Sequence, residues 1–250
     1  MANSMAGGMV TEDRSRYDGE QEASEAGGAE RRPFGDPAQA RVFAIGRDPR
    51  LQISEAQAET VFFLDYLGSA KPSARSEARK YELAEATAEY VREITGGQVP
   101  LEEMYFTNLC NEFLPHAPKG GTVLIPDEVA DRGIAEIEKA LAHGKPQVII
   151  PMSLQVFYHL ARIRFVAMED EQRTGFLRKA APKAQDAGRG AYVQSKPRAF
   201  LDVCGSQFLH DSIPVVPALH VKTWPLRGRF KAYESAMQNA AANVKACVGQ

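Results

Sequence analysis

The alternation of short apolar runs with amphipathic segments is the feature that most constrains the fold of this chain. Each apolar run has the length of one buried strand, and each intervening segment repeats its apolar residues every three or four positions, as a helix does. Strands joined by helices form a parallel sheet with helices on its faces. We therefore predict an α/β fold: a three-layer α/β/α sandwich with a central, mostly four-stranded parallel sheet. The predicted strands are 41–45, 104–108, 147–151 and Val215–Leu219.

Four longer segments are predicted to be helices. The first has Tyr81, Ala84, Ala88 and Val91 on one face and stops at a pair of glycines. Another can be capped by Ser153, whose hydroxyl can accept a hydrogen bond from the first helical turn. The predicted helices are 76–95, 127–143, 154–163 and 229–245.

Composition predicts one folded domain of residues 39–250 behind an acidic tail of residues 1–38. The tail is rich in Gly, Ala, Ser, Glu and Arg, lacks periodic apolar residues, and is expected to be poorly ordered. Residues 1–40 carry eight acids and four arginines, whereas residues 173–250 carry twelve basic and four acidic residues. A basic rear half suits a polyanionic partner, although scattered Lys and Arg are equally compatible with a solvated surface. Residues 165–200, polar and basic, are expected to form an insertion or a long loop.

The cysteines and the apolar runs narrow the class of protein. Cys110, Cys204 and Cys247 are far apart and form no CxxC motif, so no iron–sulfur cluster or zinc ribbon is expected. Such a sparse, odd set fits a reducing cytoplasm. No apolar run reaches eighteen residues, so no membrane span is expected.

Polar residues directly follow three of the predicted strands, at the carboxyl edge where ligands of parallel sheets bind. Asp48 follows the first strand in the sequence Gly-Arg-Asp-Pro-Arg and could orient a water or stabilise a developing cation. Asn108 ends the second strand and offers a donor and an acceptor side by side, which match the edge of a base. His220 follows the last strand and could donate a hydrogen bond to an oxyanion. Each residue alone is also compatible with a purely structural role in a turn.

The loop after His220 combines cations with the only tryptophan of the chain. Cations suit phosphates, and an aromatic ring can stack on or wedge between bases. The side chains expected to contact DNA are Lys222, Trp224, Arg227 and Arg229.

The order of these motifs resembles the uracil-DNA glycosylase superfamily. The stretch PVVPALHVKTWPLRGRF is similar to the final strand, catalytic histidine loop and following helix of that family, and YFTNLCNEFLP is similar to its asparagine-bearing segment. The resemblance covers about residues 41–245. It implies hydrolysis of the N-glycosidic bond of a deaminated base that has been flipped out of DNA, without a metal or other cofactor.

The resemblance also implies a role for each residue. Asp48 would position the water and stabilise the sugar cation, and His220 would hydrogen-bond the carbonyl oxygen of the departing base. Asn108 would read the base edge, and Phe62 or Phe63 would stack on the base, although core packing is an alternative for both rings. Trp224 lies where prototypical members carry an apolar wedge.

Which base is removed stays open, because Arg47 and Arg50 occupy the positions of the Gln and Tyr of the prototypical first motif. Whether the chain is an enzyme also stays open at this point. A catalytically inactive protein of the same fold, binding nucleic acid or a partner protein, is the first alternative. An unrelated α/β hydrolase or transferase acting on a nucleotide-like molecule is the second, although GxSxG and Walker motifs are absent from the sequence.

Overall fold

The structure is a computed structural model of the 250-residue chain. It describes residues 31–47, 60–111, 125–181, 197–223, 228 and 230–249.

A five-stranded, mostly parallel sheet forms the centre of the protein. Its strands are β1 (Val42–Gly46), β2 (Met104–Asn108), β3 (Val148–Pro151), β4 (Phe208–His210) and β5 (Ile213–Val215). Their order across the sheet is β2-β1-β3-β5-β4, with β4 antiparallel to β5 and the other neighbours parallel. The α/β class and the parallel sheet are confirmed, but the strand number is five rather than four.

The sheet differs from the prediction at its last two strands. The segment predicted as one strand, Val215–Leu219, continues alongside β3, because the amides of Val216 and Ala218 donate to Ile149 and Pro151 carbonyls. The regular strand β5 itself ends at Val215. The missed strand β4 has only three residues and forms a hairpin with β5. So short a run carries too little alternation to be recognised in the sequence.

In the described ranges six α-helices accompany the sheet, and the four predicted ones are confirmed with small changes at their ends. The helix α1 contacts α6, whereas α3 contacts both α2 and α4. The segment expected as an insertion or long loop contains α4 and the start of α5, so its described part is not a long loop. Phe176 and Ala180 of α4 are buried, which explains why a polar segment forms a packed helix. The helices are α1 (Arg75–Thr95), α2 (Asp127–His143), α3 (Leu154–Arg162), α4 (Asp170–Ala180), α5 (Pro197–Leu201) and α6 (Lys231–Val248).

Ordered packing begins before the predicted boundary at residue 39. Residues Arg31–Phe34, which we call the N-terminal strap, run along the outer side of β2. Phe34 and Phe106 exchange backbone hydrogen bonds of 2.9 Å each, and their rings meet edge to face at 6.2 Å. The outer edge of β2 has unpaired backbone groups that need partners, and the strap supplies some of them. The first thirty residues of the predicted tail lie outside the described residues.

Arg41 connects the amino end of the sheet to the last turn of α6. Its guanidinium donates to the side chains of Gln147 and Glu103 and to the carbonyls of Gln98 and Val248, at 2.7–3.2 Å. The start of β1, the approach to β3 and the last turn of α6 are thereby held together. In the part of the chain that the structure describes, no helix combines the length and the apolarity required to cross a bilayer.

Candidate active site at the carboxyl edge of the sheet

Gly46 lies at the centre of the candidate site, because two of the predicted side chains pack directly on it. In the parallel register of β1 and β2, Gly46 pairs with Asn108. A methyl group on Gly46 would lie 2.4 Å from Asn108 Oδ1 and 2.7 Å from Phe62 Cζ. Only glycine therefore leaves room for both side chains at this position.

Asn108 presents a buried carboxamide to this site. The residue is only 6% exposed. Among the described residues its side-chain amide makes no hydrogen bond, whereas its backbone carbonyl accepts from Thr107 and the amide of Leu109 donates to Gly46. A carboxamide with no protein partner at the carboxyl edge of a parallel sheet has a donor and an acceptor that a polar ligand edge can use.

Phe62 and Phe63 lie in a 3-10 segment (Val61–Tyr66) and point in different directions. Both residues adopt the left-handed region, with φ of 57° and 58°. This conformation costs an aromatic L-residue about 1–2 kcal/mol. The ring of Phe62 contacts those of Phe106 and His220, with centroids 6.0 and 5.8 Å away. The ring of Phe63 lies instead against Arg31. Of the two phenylalanines predicted to stack on a base, Phe62 is the one at the site.

His220 lies in a tight turn that determines its tautomer. The amide of Lys222 donates to His220 Nδ1 at 3.1 Å, so the neutral ring carries its proton on Nε2. The carbonyl of His220 accepts from both the amide and the hydroxyl of Thr223, at 2.7 and 2.8 Å. A neutral imidazole with its proton on Nε2 is a hydrogen-bond donor, which is the role expected of this residue.

Two further contacts hold the chain on either side of the site. The buried hydroxyl of Tyr90 in α1 donates to the carbonyl of Leu219 at 2.6 Å, directly before His220. Burial raises the pKa of Tyr90 well above its usual value, so the phenol remains a donor. On the other side, a methyl group on Gly133 would lie 1.7 Å from the carbonyl oxygen of Leu109, so α2 packs tightly against the residue after Asn108.

The remaining predicted residues fall into two groups. Lys222 is exposed beside His220. The others, Asp48, Trp224, Arg227 and Arg229, lie outside the described residues. The structure thus brings Phe62 and Asn108 together on Gly46, with His220 beside the ring of Phe62. Within the described ranges, no three His, Cys, Asp or Glu side chains are placed to hold one metal ion.

Sequence reasoning missed Phe106 and Tyr90 as neighbours of the site. Phe106 could have been found, because it lies two residues before Asn108 and so on the same face of β2. Tyr90 carries no such signal, since its partner is a backbone carbonyl 129 residues away.

Fold and site together define the class of protein: an α/β protein with a polar and aromatic cluster at the carboxyl edge of a mostly parallel sheet. Comparison with protein-family models gave no match, and neither did comparison with curated proteins. The assignment of a function therefore depends on the site itself.

Proposed function

We propose that this protein is a divergent DNA glycosylase of the uracil-DNA glycosylase type, which hydrolyses the N-glycosidic bond of uracil or a related deaminated base in DNA. The observation that carries the proposal is that the ring of Phe62 lies between two of the other predicted groups: it packs with Asn108 on Gly46 and meets the imidazole of His220 at 5.8 Å. A ring to stack on a base, an amide to read its edge and a histidine to donate to its carbonyl are the groups that this reaction uses. We also propose that the helices form the two outer layers of an α/β/α sandwich.

In the proposed reaction the base leaves as an anion, and the sugar acquires oxocarbenium character. The Nε2–H of His220 donates to the carbonyl oxygen of the departing base, where negative charge grows, so the donor binds the transition state more strongly than the substrate. Asn108 hydrogen-bonds the base edge through the donor and acceptor of its carboxamide. Asp48, two residues after Gly46, stabilises the sugar cation and orients the attacking water. Lys222, Trp224, Arg227 and Arg229 bind the DNA.

The test is an oligonucleotide panel. Single-stranded DNA with one uracil, hypoxanthine or xanthine is incubated with the protein, and abasic sites are revealed by alkaline cleavage of the strand. We expect cleavage of at least one substrate and a loss of about 100-fold or more in rate for His220→Ala, the size typical of one lost oxyanion donor. The control is His143→Ala, which removes an exposed histidine at the end of α2. Equal rates for the two variants would contradict the role of His220.

One observation favours a second candidate function, a catalytically inactive protein of the same fold that binds nucleic acid. Phe62 and Asn108 are only 7% and 6% exposed, so an extruded base reaches them only after neighbouring side chains move. Binding of all oligonucleotides with no abasic product at high protein concentration would support this candidate and refute the glycosylase.

A further inference from the structure

The backbone at Phe62 and Phe63 is strained, and something must hold it in place. Two consecutive aromatic residues with positive φ are rare, because the side chain crowds its own backbone in this region. Strain of this kind persists only when surrounding contacts over-determine the conformation, and it is concentrated at functional sites. The contacts of Phe63 therefore bear on how Phe62 is presented to the site.

The ring of Phe63 is held by two cations. The guanidinium carbon of Arg31 lies 4.3 Å from the ring centroid, and Lys80 Nζ lies 5.7 Å from it. Lys80 is itself fixed, because its side chain is 17% exposed and pairs with Glu77 at 2.9 Å. The ring of Tyr66 meets Phe63 edge-on at 6.2 Å. Cations over an aromatic face attract it, and more strongly where water is excluded.

The same strap that carries Arg31 is bonded to both segments of the site. The amide of Arg31 donates to the carbonyl of Asn111 at 3.0 Å, three residues after Asn108. The carbonyl of Arg32 accepts from the amide of Val61 at 2.9 Å, next to Phe62. One short stretch of chain thus links the segment with the stacking ring to the segment with the base-reading amide.

We propose that Arg31 is a positioning residue: its guanidinium on Phe63, together with the backbone bonds of the strap, sets the place of the Phe62 ring relative to Asn108 and His220. We call these contacts of Arg31 and the strap the clamp. The effect of the clamp on catalysis rests on the proposed glycosylase function, whereas its effect on the position of the Phe62 ring does not. A displaced Phe62 ring would still leave the contacts to the DNA backbone in place. The clamp therefore acts on the chemical step more than on DNA binding.

The structural consequence is measured first, on the imidazole signals of His220 in proton–carbon NMR spectra of the whole chain. Phe62 lies 5.8 Å from that imidazole, so its ring current reports its position. The signals are assigned by their loss in a His220→Asn variant. We expect Arg31→Gln to shift them and Arg31→Lys, which keeps a cation near Phe63, to shift them less. The matched control is Lys139→Gln, which removes a cation from an exposed pair on α2.

Phe63→Leu provides a second route to the same result, because it removes the aromatic face and keeps an apolar side chain. We expect it to shift the His220 signals in the same direction as Arg31→Gln. His220 signals in Arg31→Gln and Phe63→Leu that match those of Lys139→Gln would overturn the clamp.

Excision kinetics then test the catalytic consequence. For Arg31→Gln we expect kcat on the uracil oligonucleotide to fall about tenfold with KM changed less than about twofold, because small misplacements of reacting groups act on the chemical step. Partial recovery of kcat in Arg31→Lys supports the clamp. Unchanged kcat with raised KM overturns it, because Arg31 would then act as a DNA contact. If the parent chain excises no base but the His220 signals still shift, the clamp stands and the proposed function fails.

Discussion

His159 in α3 is predicted to make the stability of this protein depend on pH. The residue is 1% exposed, and neither ring nitrogen has a hydrogen-bond partner in the described part of the chain. Burial and the neighbouring charge of Arg162 lower the pKa of His159 from 6.5 to about 4, and the carboxylates of Asp127 and Asp131 oppose this shift only in part. The folded protein therefore keeps this imidazole neutral at pH values where the unfolded chain protonates it.

The sign and size follow from the two pKa values. Because the folded pKa lies below the unfolded one, the unfolded state binds more protons between pH 6.5 and 4, and stability falls as the pH falls through this window. A shift from 6.5 to about 4 removes about 2.5 kcal/mol of unfolding free energy between pH 7.5 and pH 4.5, and about 3 kcal/mol once both states are protonated.

The perturbation is His159→Leu, which removes the titrating group and keeps a side chain of similar volume. Urea unfolding at pH 7.5 and pH 4.5 gives the free energy of unfolding of each protein. We expect the loss between these pH values to be smaller in the variant by about 2.5 kcal/mol. At pH 7.5 the variant should be at least as stable as the parent, because neither buried nitrogen that it removes is hydrogen-bonded and Asp127 Oδ1 lies 3.6 Å from Nδ1.

The matched control is His143→Leu, which removes an exposed imidazole from the neighbouring helix α2 and leaves His159 in place. It should lose as much stability on acidification as the parent does. The reasoning is refuted if His159→Leu and His143→Leu lose the same free energy of unfolding between pH 7.5 and pH 4.5.

Three further predictions concern the site and its supports. Gly46→Ala should lower kcat/KM for base excision about 100-fold, because its methyl group displaces the amide of Asn108; an unchanged rate in oligonucleotide cleavage would contradict this. Tyr90→Phe should lower the free energy of unfolding by about 1–2 kcal/mol in urea titrations, because the buried carbonyl of Leu219 loses its donor; an unchanged midpoint would show that this bond contributes nothing. Arg41→Met should lower the free energy of unfolding by about 2 kcal/mol in urea titrations, because the four hydrogen bonds of the guanidinium are lost; an unchanged or higher midpoint would show that these bonds are dispensable.

The parts of the fold that could be predicted from sequence are those governed by local periodicity. The strand ending at Asn108 and the helix Arg75–Thr95 were placed within one residue, because apolar spacing and a terminal glycine pair define them. The strand β4 could not be found, because its three residues depend on pairing with β5 and with Ala167. The strap was missed because it is held by hydrogen bonds between Phe34 and Phe106 at the open edge of β2, which its own composition does not indicate.

The candidate site was predictable to the extent that it depends on strand ends. Asn108 ends one strand and His220 follows another strand of the same sheet, and that topology alone suggested that both lie at its carboxyl edge. The difference between Phe62 and Phe63 could not be read from the sequence, since two adjacent phenylalanines are equivalent until a left-handed backbone turns their rings apart. The tautomer of His220 likewise depends on a turn that local sequence does not specify.

The hydrogen bond from Arg41 to the carbonyl of Val248 spans 207 residues and has a consequence for synthesis. During translation, Arg41 emerges from the ribosome 207 residues before Val248. The amino end of β1 is therefore not secured until α6 has been made, and contacts of such long sequence separation slow folding. Chains stalled before α6 would contain all five strands but lack this bond, so we expect protease to cleave them more readily than chains that include α6.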